Sequence, residues 1–100
     1  MIMAREKLST TEIARRIQEL DGWVLSDDAM AINKTFKFGN FAQAFAFMTE
    51  SAIHAEKLDH HPEWSNVYRT VEVKLTTHSA KGLTDLDFDL AGRMDKAARH

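Results

Sequence analysis

From Thr70 to His78 the chain reads Thr-Val-Glu-Val-Lys-Leu-Thr-Thr-His, and no other stretch constrains the fold as tightly. Val71, Val73 and Leu75 share one parity, while Thr70, Glu72, Lys74, Thr76 and His78 share the other. Successive side chains of a strand point to opposite faces, so this stretch needs one face on a core and one in water. A sheet covered on one side only is antiparallel, because parallel sheets bury both faces. The pattern reaches back to Trp64, and a break around Asn66 to Tyr68 could split it into two strands. Nearer the N-terminus, Met30, Ile32, Phe36 and Phe38 alternate with Ala31, Asn33, Thr35 and Lys37. Trp23-Val24-Leu25 is a short strand before them, with Ser26-Asp27-Asp28 as the turn.

Three helices are marked by their starts. At Ser9-Thr10-Thr11-Glu12 the Ser9 side chain can accept from the Glu12 amide while Glu12 reaches back to the Ser9 amide. Leu8 and Ile13 sit at staple spacing, Ile13, Ile17 and Leu20 continue one apolar face, and Gly22 can end the helix in a left-handed conformation. Asn40-Phe41-Ala42-Gln43 opens a second helix in the same way, running from Phe41 to Leu58, with Pro62 setting its limit. Thr84-Asp85-Leu86-Asp87 opens the third, with Leu83 and Phe88 as staple and Leu86, Leu90, Met94 and Ala97 at helical spacing. The order helix-strand-strand-helix-strand-strand-helix predicts an α+β fold: a four-stranded antiparallel sheet with three helices packed on one face.

Residues 1–100 fit one domain, with no linker or repeat dividing them. A net charge of −2 gives no nucleic-acid footprint, and no run of apolar residues is long enough to cross a membrane. Met1 to Lys7 reaches charge at once and lacks the apolar core of a signal peptide, so the expected location is the cytoplasm. Without cysteine, a metal site would have to be built from histidine and carboxylates. The second helix carries Phe41, Phe45, Phe47, Met48, Ile53 and Leu58, more apolar surface than one small sheet covers. Its small residues Ala44, Ser51 and Ala55 would let helices of different subunits approach closely, so Phe47 and Ser51 are expected at an interface.

The chemistry is carried by histidine. His60 and His61 are adjacent in Asp59-His60-His61-Pro62 at the exit of the second helix, and His78 ends the long strand. Neighbours on a helix diverge by roughly 100°, so two such rings share a cleft more readily from a loop. Glu56 lies four residues before His60 and can partner that ring across one turn; Asp59 is a second nearby anion. Imidazole titrates near neutrality, which suits general acid and base work. Asp87 is explained by a capping box with Thr84 as readily as by a site role, and Trp23 and Trp64 read as packing residues. His54, inside the second helix, and His100, at the chain end, are assigned no role.

Glu56-Lys57-Leu58-Asp59-His60-His61-Pro62, then Trp64 and Tyr68, Thr76-Thr77-His78 and Asp87, resembles the signature of the pterin-4a-carbinolamine dehydratases. Leu20-Asp21-Gly22-Trp23 resembles the same family's approach to its first strand, so the likeness extends from about Leu20 to Asp87. The resemblance implies a lyase that removes water from 4a-hydroxytetrahydrobiopterin to give quinonoid dihydropterin, recycling tetrahydrobiopterin after an aromatic amino-acid hydroxylase. It implies a homotetramer built as a dimer of dimers, and a site without metal or cofactor. Expelling hydroxide needs a proton, and a ring N–H proton must be accepted. His60 and His78 are the acid/base candidates and His61 the positioning one, with Glu56 and Asp59 orienting them and Thr76, Thr77 and Ser79 meeting the pterin edge. Two alternatives stand beside this reading: a non-catalytic dimerisation or interaction module, and a histidine-metal hydrolase.

Overall fold

The computed structural model describes residues 5–99; residues 1–4, part of the segment read for a signal core, and His100 lie outside the described residues. The elements are helix α1 (Thr10–Gln18), strands β1 (Val24–Leu25) and β2 (Ile32–Lys37), helix α2 (Phe41–Leu58), strands β3 (Glu63–Val67) and β4 (Thr70–Leu75), a 3-10 turn (His78–Ala80) and helix α3 (Asp85–Ala98). The strands form one antiparallel sheet in the order β1-β2-β4-β3, so the predicted α+β architecture is the one adopted.

The central pairing sets Ile32 opposite Leu75 and Phe36 opposite Val71, and all four are buried with Val73 on the helix-covered face. Thr35, Lys37, Glu72 and Lys74 stand exposed on the other face. The alternation does not extend to Met30 and Ala31, whose burial is the reverse of the expectation: Ala31 is buried and Met30 exposed. Ala29 takes a left-handed φ of 60°, and Ser26 holds the Ala31 amide through its hydroxyl, so the chain turns before the pleat begins at Ile32.

The helix starts follow the caps, with differences in detail. Ser9 accepts from the Glu12 amide at 3.1 Å, but the Glu12 carboxylate goes to Arg15 at 2.7 Å instead of closing the box. That pairing holds Glu12 below the ordinary carboxylate value, mainly through the Arg15 hydrogen bond. Gly22 does take a φ of 83°, yet it serves the turn into β1, because α1 has already stopped at Gln18. The α3 box is complete, and Leu83, Leu86, Phe88, Leu90, Met94 and Ala97 are all buried. Trp23 packs edge-on against Phe36, and its indole N–H donates to Asp95, which also holds Lys34 at 2.8 Å, fastening the last turns of α3 to the sheet. Trp64 is partly buried and packs on the same core.

Helix α2 presents its faces differently from the expectation. Ala44, Phe47, Ser51 and Ala55 face the protein's own interior, where α3 crosses close by. Phe47 sits 4.6 Å from the Phe36 ring and 5.0 Å from Phe38. The small residues thus admit α3 and the sheet, and neither Phe47 nor Ser51 lies on the outer surface. Phe41, Phe45 and Ile53 are the large apolar side chains that α2 leaves about half exposed.

Candidate active site

Asp59, and not Pro62, stops α2. It adopts φ 51°, ψ 46°, its amide returns to Glu56 O and the His60 amide to Ala55 O, the paired bonds of a Schellman ending. This reversal sends His60 inward beneath the helix and leaves His61 outside. His60 is only 6% exposed, and its Nε2 lies 2.6 Å from Asp87 Oδ1. Asp87 is wholly buried in the first turn of α3, where its Oδ2 accepts from the Thr77 hydroxyl at 2.8 Å and the Thr84 amide at 2.9 Å. Thr77 in turn stands 2.8 Å from the Thr84 hydroxyl. One carboxylate therefore caps α3 and fixes the plane of the His60 ring.

The segment after β4 delivers the rest. Thr77 and Gly82 pair backbone to backbone, pinching off a loop whose 3-10 turn carries His78 and Ser79. His78 is exposed, with Nε2 3.0 Å from Glu63 Oε2 at the head of β3. His61 Nε2 lies 3.4 Å from Glu56 Oε1. Each of the three imidazoles thus commits Nε2 to a different carboxylate, and none of their Nδ1 atoms has a hydrogen-bond partner among the described residues.

A cavity of about 280 Å³ lies between these loops, lined by Asp59, His60, His61, Thr76, Thr77, His78 and Ser79 together with Arg5. Of the residues expected at the site, only Glu56 does not line it; it stands behind His61. The expected pairing of Glu56 with His60 is not made. Four-residue spacing holds inside a helix, and the left-handed Asp59 intervenes, so His60 finds its anion 27 residues further on. Asp59 does not orient a histidine either: Arg5 donates to its carbonyl at 2.7 Å and reaches its carboxylate at 3.4 Å. The Thr77 hydroxyl is spent on Asp87 and that of Thr76 donates to Met30 O, leaving the threonine backbone and Ser79 to meet a ligand.

Sequence reasoning missed Arg5 and Glu63. Nothing around Arg5 marks it, whereas Glu63 follows His-His-Pro directly, and the register that sets it opposite Lys74 at the end of β4 brings it toward His78. A histidine-metal site would need three such ligands converging on one ion, and no group of three does so among the described residues.

The fold and the cavity together define a small α+β protein in which three histidines, each bonded to a different carboxylate, line one cavity. A family model described as Pterin 4 alpha carbinolamine dehydratase matches residues 6–97, and the chain belongs to that family. The match is wider than the stretch from Leu20 to Asp87 that carried the resemblance. A relative from Sinorhizobium fredii, assigned provisionally as a pterin-4-alpha-carbinolamine dehydratase, is 56% identical over 96% of this chain and 91% of its own length. A similarly assigned Rhizobium etli protein is 58% identical over 96% and 95% of the two chains. The crystal structure of a transcriptional coactivator/pterin dehydratase from Brucella melitensis superposes with a TM-score of 0.90 at 46% identity, covering 93% of this chain and 99% of that one. A pterin dehydratase-like protein described as a RuBisCO assembly factor in the alpha-carboxysome is more distant, with a TM-score of 0.68 at 26% identity over 77% and 89%.

Proposed function

We propose that this chain performs its family's dehydration by general acid–base catalysis in the histidine cavity, converting a 4a-hydroxytetrahydropterin to the quinonoid dihydropterin and water. The observation that carries the reading is the Asp87–His60 pair beside His61 and His78 at one cavity. With Nε2–H donated to Asp87, His60 keeps Nδ1 for the substrate in a fixed orientation, as the orienting carboxylate of a catalytic triad does for its histidine. The departing hydroxyl takes a proton as the C–O bond breaks, and a ring N–H gives one up. No electron is gained or lost, so the step calls for no redox cofactor, and its two proton transfers are within the reach of imidazole. His60 and His78 are assigned the two proton transfers and His61 the positioning of the ring. Glu56 and Glu63 hold His61 and His78, and Ser79 with the backbone of Thr76 and Thr77 faces the pterin edge.

Chemically generated 4a-hydroxytetrahydropterin tests this directly, because its loss is followed with and without the protein. His60→Ala and His78→Ala should each slow dehydration by about 10²–10⁴-fold, the usual weight of a general acid or base. His61→Ala should raise KM more than it lowers kcat. Unchanged rates in all three variants would show that the chemistry lies elsewhere. Activity should also survive exhaustive chelation; loss to chelator and recovery with zinc would favour the hydrolase-type alternative. The reaction that supplies the substrate is aromatic amino-acid hydroxylation, placing the chain in pterin recycling as a single domain. The assembly that suits it is a homotetramer, with sheets paired into dimers through the open edges β1 or β3 and dimers joined through α2.

A further inference from the structure

The chain ahead of α1 is tied to both of the loops that build the histidine cavity. The Leu8 amide donates to Leu83 O at 2.8 Å, at the foot of the loop that carries His78 and Ser79. A Cβ on Gly82 would stand only 2.8 Å from Lys7 Cε, so the bare backbone of Gly82 gives the Lys7 stem its seat on that loop. Arg5 reaches the other loop, where its Nη2 donates to the Asp59 carbonyl at 2.7 Å and stands 3.4 Å from the Asp59 carboxylate. Residues 5–8 therefore form a strap between the two loops, and the strap brings a guanidinium to the cavity wall. We propose that Arg5 is a substrate-binding residue whose guanidinium donates to the C4 carbonyl oxygen of the pterin. The proposal rests on the pterin reading of the histidine cavity and deepens it.

The guanidinium is anchored but not used up. Asp59 engages Nη2 alone, while Nε and Nη1 have no hydrogen-bond partner among the described residues. Among those residues Arg5 is also the only permanent cation that lines the cavity. The three histidines carry charge only when protonated, and their free ring nitrogens are assigned to proton transfer and ring positioning. The Thr76 hydroxyl is spent on Met30 O and that of Thr77 on Asp87. The charged donors left for a ligand are therefore those of Arg5. A pterin supplies the matching acceptor. Its C4 carries the exocyclic carbonyl oxygen and is bonded to C4a, the carbon that loses the hydroxyl. A ring with C4a among the histidines thus presents that oxygen to the same wall. Arginine stays protonated at any working pH, so it donates a hydrogen bond and transfers no proton. The carbonyl is present before and after water departs, so the contact strengthens binding and leaves the barrier almost untouched.

The test is equilibrium binding of two ligands that cannot be dehydrated. One is a 7,8-dihydropterin, with oxygen at C4; the other is its 2,4-diamino analogue, which offers a donor at C4 in place of the acceptor. The unaltered protein should bind the 4-oxo compound about tenfold more tightly than the 4-amino one, the weight of one hydrogen bond to a charged group. Arg5→Met keeps the stem and removes the donors. It should weaken the 4-oxo compound about tenfold and leave the 4-amino compound nearly unchanged, so that the preference disappears. In turnover the same variant should raise KM about tenfold while kcat stays within about twofold. If Arg5→Met weakens both ligands alike, the strap only braces the loops and the contact with the C4 oxygen is overturned. Equal affinity for the two ligands in the unaltered protein would overturn it as well, while leaving the histidine cavity as the pterin site. So would a fall in kcat at constant KM. If neither ligand binds the unaltered protein, the pterin reading of the cavity fails and the role of Arg5 fails with it.

Discussion

A carboxylate with no exposed surface is tolerated when its oxygens are saturated with donors, and Asp87 has three: His60 Nε2, the Thr77 hydroxyl and the Thr84 amide. Removing it strands all three, so Asp87→Ala should destabilise the fold by about 3–5 kcal/mol, measured by urea unfolding. Asp87→Asn is the sharper probe of function. An amide nitrogen must then face a donor on one side or the other, and the His60 ring loses its fixed tautomer. The variant should retain most of its KM while kcat falls about 100-fold or more, with a displaced pH profile; a purely structural role would leave kcat intact once the folded fraction is corrected. The capping role of Asp87 was legible from Thr84 three residues earlier, and a site role stood beside it without a partner to support it. What joins Asp87 to His60 is the crossing of two chain segments 27 residues apart, which no local spacing encodes. The histidines themselves were legible because their residue types carry the chemistry wherever the chain puts them. Which carboxylate each would meet was not, and Glu56 was matched to the wrong ring for that reason.

Among the elements, α2 does most to build the site, and it does so through its last residue. Asp59 sits in a left-handed conformation that costs a side-chain-bearing residue about 1 kcal/mol or more and glycine nothing. Its carboxylate pairs with Arg5 where both are exposed, which contributes little. Asp59→Gly should therefore raise stability by about 0.5–1 kcal/mol and leave dehydration nearly unchanged, since Arg5 donates to the backbone carbonyl that remains. Lower stability in a denaturant titration would show the Asp59 side chain to matter more than its conformation. A second test concerns the helix interior, where the Ser51 hydroxyl is buried without a partner among the described residues. Ser51→Ala should stabilise by about 1 kcal/mol, read as a higher Tm. The start and length of α2 were plain from Asn40 and from the apolar run to Leu58. Its orientation was not, because apolar residues cover all of the circumference but the side of Gln43, Glu50, His54 and Lys57, and so wide a stripe leaves open which part faces the core. Packing settled it: close approach of α3 draws Ala44, Ser51 and Ala55 inward, and the aromatic cluster on the sheet takes Phe47.

For the molecule as a whole, the outer side of α2 is the face on which the proposed assembly rests. Phe41 is 47% exposed, Phe45 55% and Ile53 52%; the rings of Phe41 and Phe45 lie 5.7 Å apart and form one patch, and Ile53 stands two turns further along the same helix. Aromatic and aliphatic side chains placed in water at that density mark a contact surface. A two-fold axis beside α2 would set the patch of one protomer on its copy, the self-complementary arrangement of a closed oligomer. Joined with edge pairing of the sheets, this gives the dimer of dimers proposed above. Phe45→Glu or Ile53→Glu should then reduce the tetramer to a dimer while the circular dichroism spectrum stays unchanged. Phe47→Glu should instead unfold the protein, because it places a charge among Phe36 and Phe38. Sedimentation equilibrium distinguishes these cases, and an unaltered protein that is monomeric at micromolar concentration would refute the assembly. Dehydration should persist in the Phe45→Glu dimer, since Arg5, Asp59, the three histidines and Ser79 that line the cavity all come from one chain.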